Sequence, residues 1–178
     1  MLNGGSTPFP ILATERLILR QLFMSDEKEV FALRSDREIN RYLDRQQSST
    51  LDDARDFISR VSENINKNES LYWAITLNGR NYLVGTCCLF GFSDEEAKCE
   101  IGYELLPGFQ GRGIMLEALK KVIDYAFNTL KVQVIEACMH QDNRSSIRLM
   151  EKLSFKRLNL SDQASPELIH FHLTNLTR

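Results

Sequence analysis

A chain of 178 residues, 43% hydrophobic and 26% charged, is long enough for one domain with a single sizeable core and too short for two ordinary ones. Its net charge of −2 and pI near 6.0 argue against a polyanionic partner such as nucleic acid, and no apolar run reaches the ~20 residues that a membrane helix needs. Residues 1–10 have neither the basic start nor the apolar core of an export signal, so the reading is a flexible leader over 1–10, one domain over 11–178, no membrane partner and a cytoplasmic location.

Leu12 to Leu22 alternates around Leu17 and Leu19 and reads as a strand, after which Ser25 and Asp26 cap a helix through Arg34. Asp36 to Leu43 forms a short helical turn. Thr50-Leu51-Asp52-Asp53 has the form of a capping box before a helix to about Asn66, with Phe57, Ile58 and Val61 inward. Leu71 to Leu77 and Tyr82 to Phe92 are rich in strand formers, and Asn78-Gly79 between them is a hairpin turn, so these two strands pair antiparallel. A polar turn, Ser93 to Glu96, leads to the strand Ala97 to Leu106, on which Glu100 and Glu104 share a face because side chains alternate with period two.

Leu116, Leu119, Val122, Ile123, Ala126 and Phe127 recur at helical spacing, which predicts a helix over Gly113 to Asn128 with one face on the sheet. Val132 to Met139 is nearly continuous apolar and reads as a strand covered on both faces. Asn143 opens another helix ending near Leu153, and Phe155 to Leu160 and Leu168 to Thr174 are strands around the polar loop Ser161 to Glu167. Cys87, Cys88, Cys99 and Cys138 lack C-x-x-C spacing and sit in strand-like apolar runs, which reads as reduced core thiols. His170 and His172 alternate on one strand face with no acidic or thiol partner at ligand spacing, so no metal is expected.

Between the strand ending at Leu106 and the helix from Gly113 lies Pro107-Gly108-Phe109-Gln110-Gly111-Arg112-Gly113. Its glycines allow successive amides to point into one concavity. The helix start adds unpaired N–H groups and the positive end of its dipole, and Arg112 adds a cation at the rim. A turn of this kind either cradles an anion or merely connects two elements. No Lys-Ser or Lys-Thr pair closes it, which excludes a P-loop, and there is no strict G-x-G-x-x-G, which disfavours a dinucleotide fold.

The same turn resembles the pyrophosphate-binding motif of the GNAT superfamily of N-acetyltransferases, Q/R-x-x-G-x-G/A, through Gln110 and Gly113. Met115 stands at the motif's small third position, which implies a narrower approach to the phosphates. Asn143 to Phe155 is similar to the superfamily's N-x-x-S/A-x-x-x-x-x-K-x-G-F element, with Ser154 at the usual glycine. Thr14-Glu15-Arg16-Leu17-Ile18-Leu19-Arg20 resembles the opening strand of the Rim-type branch, the ribosomal-protein amino-terminal acetyltransferases. The resemblance implies an α/β (α+β) fold: a mixed, mostly antiparallel twisted sheet of about seven strands with about four helices, its fourth and fifth strands splayed at the cofactor.

In function, the resemblance implies transfer of the acetyl group of acetyl-CoA to a primary amine by direct attack in a ternary complex. Gln110, Gly111, Arg112, Gly113, Ile114 and Met115 would hold the pyrophosphate, and the N–H of Leu105 or Leu106 would meet the thioester carbonyl. Asn143 would lie beside the pantetheine arm, although it also suits a helix N-cap. Glu100 would be the base, with Glu104 the second candidate. Many superfamily members protonate the departing thiolate with a tyrosine at the position of Met150, and Ser146, one turn earlier, is the substitute. The acceptor is a protein amino terminus or a small-molecule amine, set by the loops Asp44 to Asp53 and Ser161 to Glu167. Tyr42, Tyr72 and Trp73 either line its pocket or serve the core. A non-catalytic acyl-CoA-binding or sensing module is the alternative, and the chain reads as a monomer or homodimer.

Overall fold

The computed structural model describes residues 8–158 and 165–176. The opening apolar run is two strands, β1 (Leu12–Ala13) and β2 (Leu17–Gln21), because a tight turn at Thr14 folds Leu12 back opposite Leu19. A 3-10 turn leads into α1 (Glu27–Ser35) and the single turn α2 (Arg37–Asn40). The predicted capping box is present at α3 (Leu51–Asn66), where the Thr50 hydroxyl accepts from the Asp53 amide and Asp53 accepts from the Thr50 amide. There follow β3 (Ser70–Leu77), β4 (Leu83–Ser93), β5 (Lys98–Leu105), α4 (Ile114–Asn128), β6 (Val134–His140), α5 (Arg144–Lys152), β7 (Lys156–Arg157) and β8 (Leu168–Thr174).

All eight strands form one sheet in the order β1-β2-β3-β4-β5-β6-β8-β7, antiparallel throughout except between β5 and β6. The strand predicted from Phe155 narrows to Lys156–Arg157, and its predicted end, Asn159 and Leu160, lies outside the described residues, as does most of the following loop. One layer carries α4 and α5, whose Met115, Ala118, Leu119, Val122 and Met150 bury against Leu19, Trp73, Cys87, Ile101 and Ile135. The other layer packs Val30, Leu33, Ala54, Ile58 and Val61 of α1 and α3 on Ala74 and Leu83. Each such large aliphatic side chain contributes ~1.5–3 kcal/mol by leaving water.

Phe9 and Pro10, assigned to the leader by sequence, are packed. The Trp73 indole donates to the Pro10 carbonyl at 2.8 Å and lies 5.8 Å from the Phe9 ring, so the ordered fold begins ahead of Ile11. β6 is also less covered than its composition implies. Ile135, Ala137 and Met139 are buried, but Cys138 is exposed on the opposite face, which corrects its reading as a core thiol. Continuous hydrophobicity arose here because cysteine counts as apolar.

Ser154 has φ +64° immediately after α5, and the Phe155 amide closes the helix end by donating to the Met150 carbonyl at 3.0 Å. The left-handed conformation explains the glycine usual at this motif position, since a Cβ is strained there. Ser154→Gly should therefore stabilise the protein by ~0.5–1 kcal/mol, a rise of about 1–4 °C in Tm. An unchanged or lower Tm in a thermal melt would show that the serine side chain stabilises this turn.

Candidate active site

The site begins where two strands part. β5 and β6 pair only at Lys98↔Val134, Cys99↔Ile135 and Glu100↔Glu136. Beyond Glu100, β5 continues against β4 while β6 continues against β8, leaving a fork between them. In an antiparallel ladder alternate residues turn both backbone groups to the partner strand. The Leu106 amide donates to the Val84 carbonyl at 3.0 Å. With the register Gly85↔Leu105, Thr86↔Glu104 and Cys87↔Tyr103, the odd residues Tyr103 and Leu105 therefore turn their N–H groups away from β4 into the fork. On the other arm the Gln141 and Asn175 amides bond the Glu167 and Gln133 carbonyls, each at 2.8 Å. Odd residues of β6 thus bond β8, and Cys138 presents its N–H and C=O to the fork. Of the two donors expected from sequence, Leu105 is open and Leu106 is occupied. Parity along the strand, not side-chain chemistry, makes the difference.

The Gly-rich turn sits at the open end of β5, tied there by Gln110, whose side-chain amide donates to the Leu105 carbonyl at 3.0 Å. Gly111 and Gly113 take φ +73° and +72°, conformations that favour glycine. Gly113 is the N-cap of α4 and offers no side-chain cap, and the first intrahelical bond runs from the Glu117 amide to the Gly113 carbonyl at 3.0 Å. The amides of Ile114, Met115 and Leu116 are therefore uncapped. A Cβ added at Gly108 or Gly111 would meet nothing within 4 Å, so this side of the loop is open. Arg112 is exposed beside the Phe109 ring. Met115 does not narrow the loop as expected. It and Ile114 are only 6% and 4% exposed, because their side chains leave the helix toward the core while their N–H groups run along its axis.

A contact absent from the sequence reading fixes this loop to the start of the sheet. Glu117, in the first turn of α4, accepts from the Thr14 hydroxyl at 2.5 Å, the Arg16 amide at 3.0 Å and the Arg16 Nε at 2.6 Å. Arg16 Nη1 also donates to the Arg112 carbonyl at 3.1 Å. The Thr14-Glu15-Arg16 segment thus holds the far end of the glycine loop. A signal existed in the acidic residue one turn into a glycine-capped helix, but its partners lie about a hundred residues away.

The two candidate carboxylates differ in their surroundings. Glu104 accepts a two-point hydrogen bond from Arg45, at 2.6 and 2.7 Å, and Arg45 Nε is held in turn by the Asn40 side chain at 2.7 Å. Both members of the pair are mostly buried, at 19% and 14% exposed. Glu104 is therefore a structural anchor for the α2–α3 loop rather than a solvated strand-end charge. The Glu100 side chain, at the point of the fork, makes no hydrogen bond or ion pair among the described residues. Its carboxylate lies against Gly91, where a Cβ would come within 3.1 Å of Oε1. Across the fork, the neighbours that shield part of the otherwise exposed Cys138 side chain, and then the Glu100 charge, push its thiol up. The α2–α3 loop reaches this arm too, where Tyr42 stacks on His140 at 5.4 Å. Tyr72 and Trp73 are core residues, packed against Phe57 and Tyr125.

On α5, Asn143 is the N-cap: its Oδ1 accepts from the Ser146 amide at 3.2 Å and the Ser145 hydroxyl at 3.0 Å. Its side-chain nitrogen makes no hydrogen bond among the described residues. Met150 is completely buried and does not reach the fork surface. Tyr103, which sequence reading missed, lies on the fork portion of β5 with a buried hydroxyl that no partner meets in hydrogen-bond geometry. Burial pushes this phenol up to about 12, and the Ser146 hydroxyl beside it pulls the other way. Tyr103 alternates with Cys99 and Ile101 on the apolar face of β5, and no spacing signal in the sequence marks its hydroxyl. A separate cavity of about 360 Å³, lined by Arg144, Ile147, Arg157 and Phe171, contains none of the predicted residues.

Burial raises the Glu117 carboxyl, but the Thr14 and Arg16 hydrogen bonds outweigh it and hold the group below its usual range. A carboxyl depressed on folding stabilises above its unfolded pKa, about 4.3, and that contribution is lost as pH falls through the folded value. Glu117→Gln should cost about 1–2 kcal/mol at pH 7, with the gap to wild type closing below about pH 4. Denaturant melts at both pH values check this; a gap that persists in acid would assign the loss to packing.

Comparison with known proteins bears on the family and the fold. The family model described as an acetyltransferase (GNAT) domain matches residues 16–156. The chain is 32% identical over 149 residues to the uncharacterized N-acetyltransferase YoaA of Bacillus subtilis, covering 84% of each chain. It is 30% identical over 170 residues to the uncharacterized N-acetyltransferase p20 of Bacillus licheniformis, covering 94% of this chain and 96% of the other. Its fold superposes with a TM-score of 0.82 on RimL, a ribosomal L7/L12 alpha-N-protein acetyltransferase solved with coenzyme A, at 17% identity over 93% of this chain and 98% of that one. The chain belongs to the GNAT family and is an N-acetyltransferase that uses acetyl-CoA.

Proposed function

We propose that the fork between β5 and β6 is where acetyl transfer to a primary amine takes place, with Glu100 as the base, Ser146 as the acid and the Leu105 N–H as the carbonyl donor. The observation that carries this reading is the set of unpaired groups around one opening: the Leu105 and Cys138 amides, the Glu100 carboxylate and the Tyr103 hydroxyl. Together with the uncapped start of α4, they suit a ligand that carries phosphates at one end and amides along its length. Acetyl-CoA is such a ligand, and when bound it supplies the activated thioester.

Gly111, Arg112, Gly113 and the Ile114, Met115 and Leu116 amides would take the pyrophosphate, Gln110 serving by fixing the loop to β5. The Cys138 backbone and the Asn143 side-chain nitrogen would meet the amide-bearing arm. Leu105 N–H is preorganised by the β4 ladder to donate to an oxygen in the fork, and such a donor typically contributes ~3 kcal/mol to transition-state stabilisation. Amines are mostly protonated at neutral pH. Glu100, whose oxygens have no competing donor, can accept that proton directly or through a water. Ser146 can donate to sulfur while Tyr103 stands behind it, protonated throughout the neutral range.

Glu100→Gln should lower kcat by about a hundredfold or more at pH 7 with CoA affinity unchanged, and the loss should shrink as pH rises and the amine deprotonates unaided. Glu104→Gln should instead destabilise the fold by on the order of 2 kcal/mol, by stranding Arg45, and leave the shape of the pH profile intact. Ser146→Ala should reduce kcat by roughly tenfold to a thousandfold. Steady-state kinetics across pH decides: if Glu104→Gln alone changed the pH profile, the base would lie two pleats along β5, and full activity of Ser146→Ala would leave the thiolate to be protonated by solvent.

A further inference from the structure

At the end of β5 stands a guanidinium with no ion pair of its own among the described residues. Arg34, in the last turn of α1, lies 3.9 Å over the Phe57 ring of α3. Its Nε is buried without a hydrogen-bond partner, and the side chain makes no ion pair among the described residues. Arg34 is close enough to Glu104 and Arg45 for their charges to act on it. That carboxylate, however, has both oxygens taken by Arg45 at 2.6 and 2.7 Å. The Tyr72 hydroxyl, whose charge state also acts on Arg34, is engaged with Thr86 at 3.0 Å. Arg34 and Arg45 therefore share one anion, with the Arg60 charge also acting on Arg34, in a half-buried cluster at the end of β5 on the same strand face as Glu100. A guanidinium stripped of part of its hydration by an aromatic ring gains most from an anion that completes its donor set.

We propose that Arg34 is an anion subsite for the acceptor, so that the preferred substrate is a primary amine that also carries a carboxylate. This rests on the acetyl-transfer reading of the fork. The amine lies at the fork and the carboxylate turns toward α1, under the α2–α3 loop that Arg45 pins in place. Specificity then comes from pairing a cation that the fold leaves unmatched.

The test compares ω-amino acids of increasing chain length with their amides, together with amino-terminal tripeptides bearing Glu or Gln at the second position. Wild-type protein, Arg34→Gln and Arg34→Lys are each assayed for kcat/KM, and acceptor binding to the CoA-loaded protein is measured by calorimetry. In wild type the acid should exceed its amide by about tenfold or more at the best length, in kcat/KM and in affinity. The ratio should fall to about one in Arg34→Gln and stay above one in Arg34→Lys, with CoA affinity the same in all three. Preference confined to the free amino acids assigns a small-molecule acceptor, and preference confined to the Glu peptide assigns a protein terminus. A wild-type ratio near one, or an equal ratio in Arg34→Gln, overturns the subsite. Preferential binding without turnover would keep the subsite and sink the transfer chemistry; turnover of amides as fast as acids would do the reverse.

Discussion

The structure depends on a sheet that stops pairing. Three parallel residue pairs join β5 to β6, and past Glu100 the strands part while each remains fully laddered to its outer neighbour. Backbone groups that lack a partner strand must be met by water or by another donor or acceptor, so the fork can receive a ligand with amides of its own. Its two walls are rigid because β4 and β8 hold them. The binding groups are thus prepared before any ligand arrives, which favours catalysis by fixed dipoles.

Around that fork the remaining elements act as braces. Gln110 ties the glycine loop to the end of β5, and Thr14 and Arg16 tie α4 to the first strands through Glu117. Arg45 fastens the α2–α3 loop to one arm through Glu104, while Tyr42 stacks on His140 of the other. The loop therefore spans the opening from arm to arm. Under the proposed chemistry, a substrate reaching Glu100 would pass beneath it, and recognition would fall to residues of α1, α2 and this loop.

Much of the fold was legible because periodicity reports burial. The α3 capping box, the Asn78-Gly79 hairpin and the apolar stripe of α4 each rest on local rules that the structure satisfies. The misreadings have a common physical origin in relations that sequence spacing does not carry. Whether Leu105 or Leu106 offers an amide depends on ladder parity, which is set by the register against β4. Whether Glu104 is free depends on Arg45, 59 residues away. Met115 departs from a motif drawn in letters, yet its buried side chain leaves the amide where the motif needs it. Tyr103 carries no spacing signal in an alternating strand, and its orphaned hydroxyl distinguishes it in the structure. Cys138 read as core because hydrophobicity cannot tell which face of a strand lacks a helix.

The most direct test is amide hydrogen exchange, resolved by residue, with and without CoA. The Leu105 and Cys138 amides should exchange readily in the free protein and slow by about tenfold or more when CoA is bound, whereas Leu106, bonded to Val84, should be protected in both states. Protection of Leu105 and Cys138 without CoA, or no change on adding it, would contradict a fork whose open backbone groups receive the cofactor.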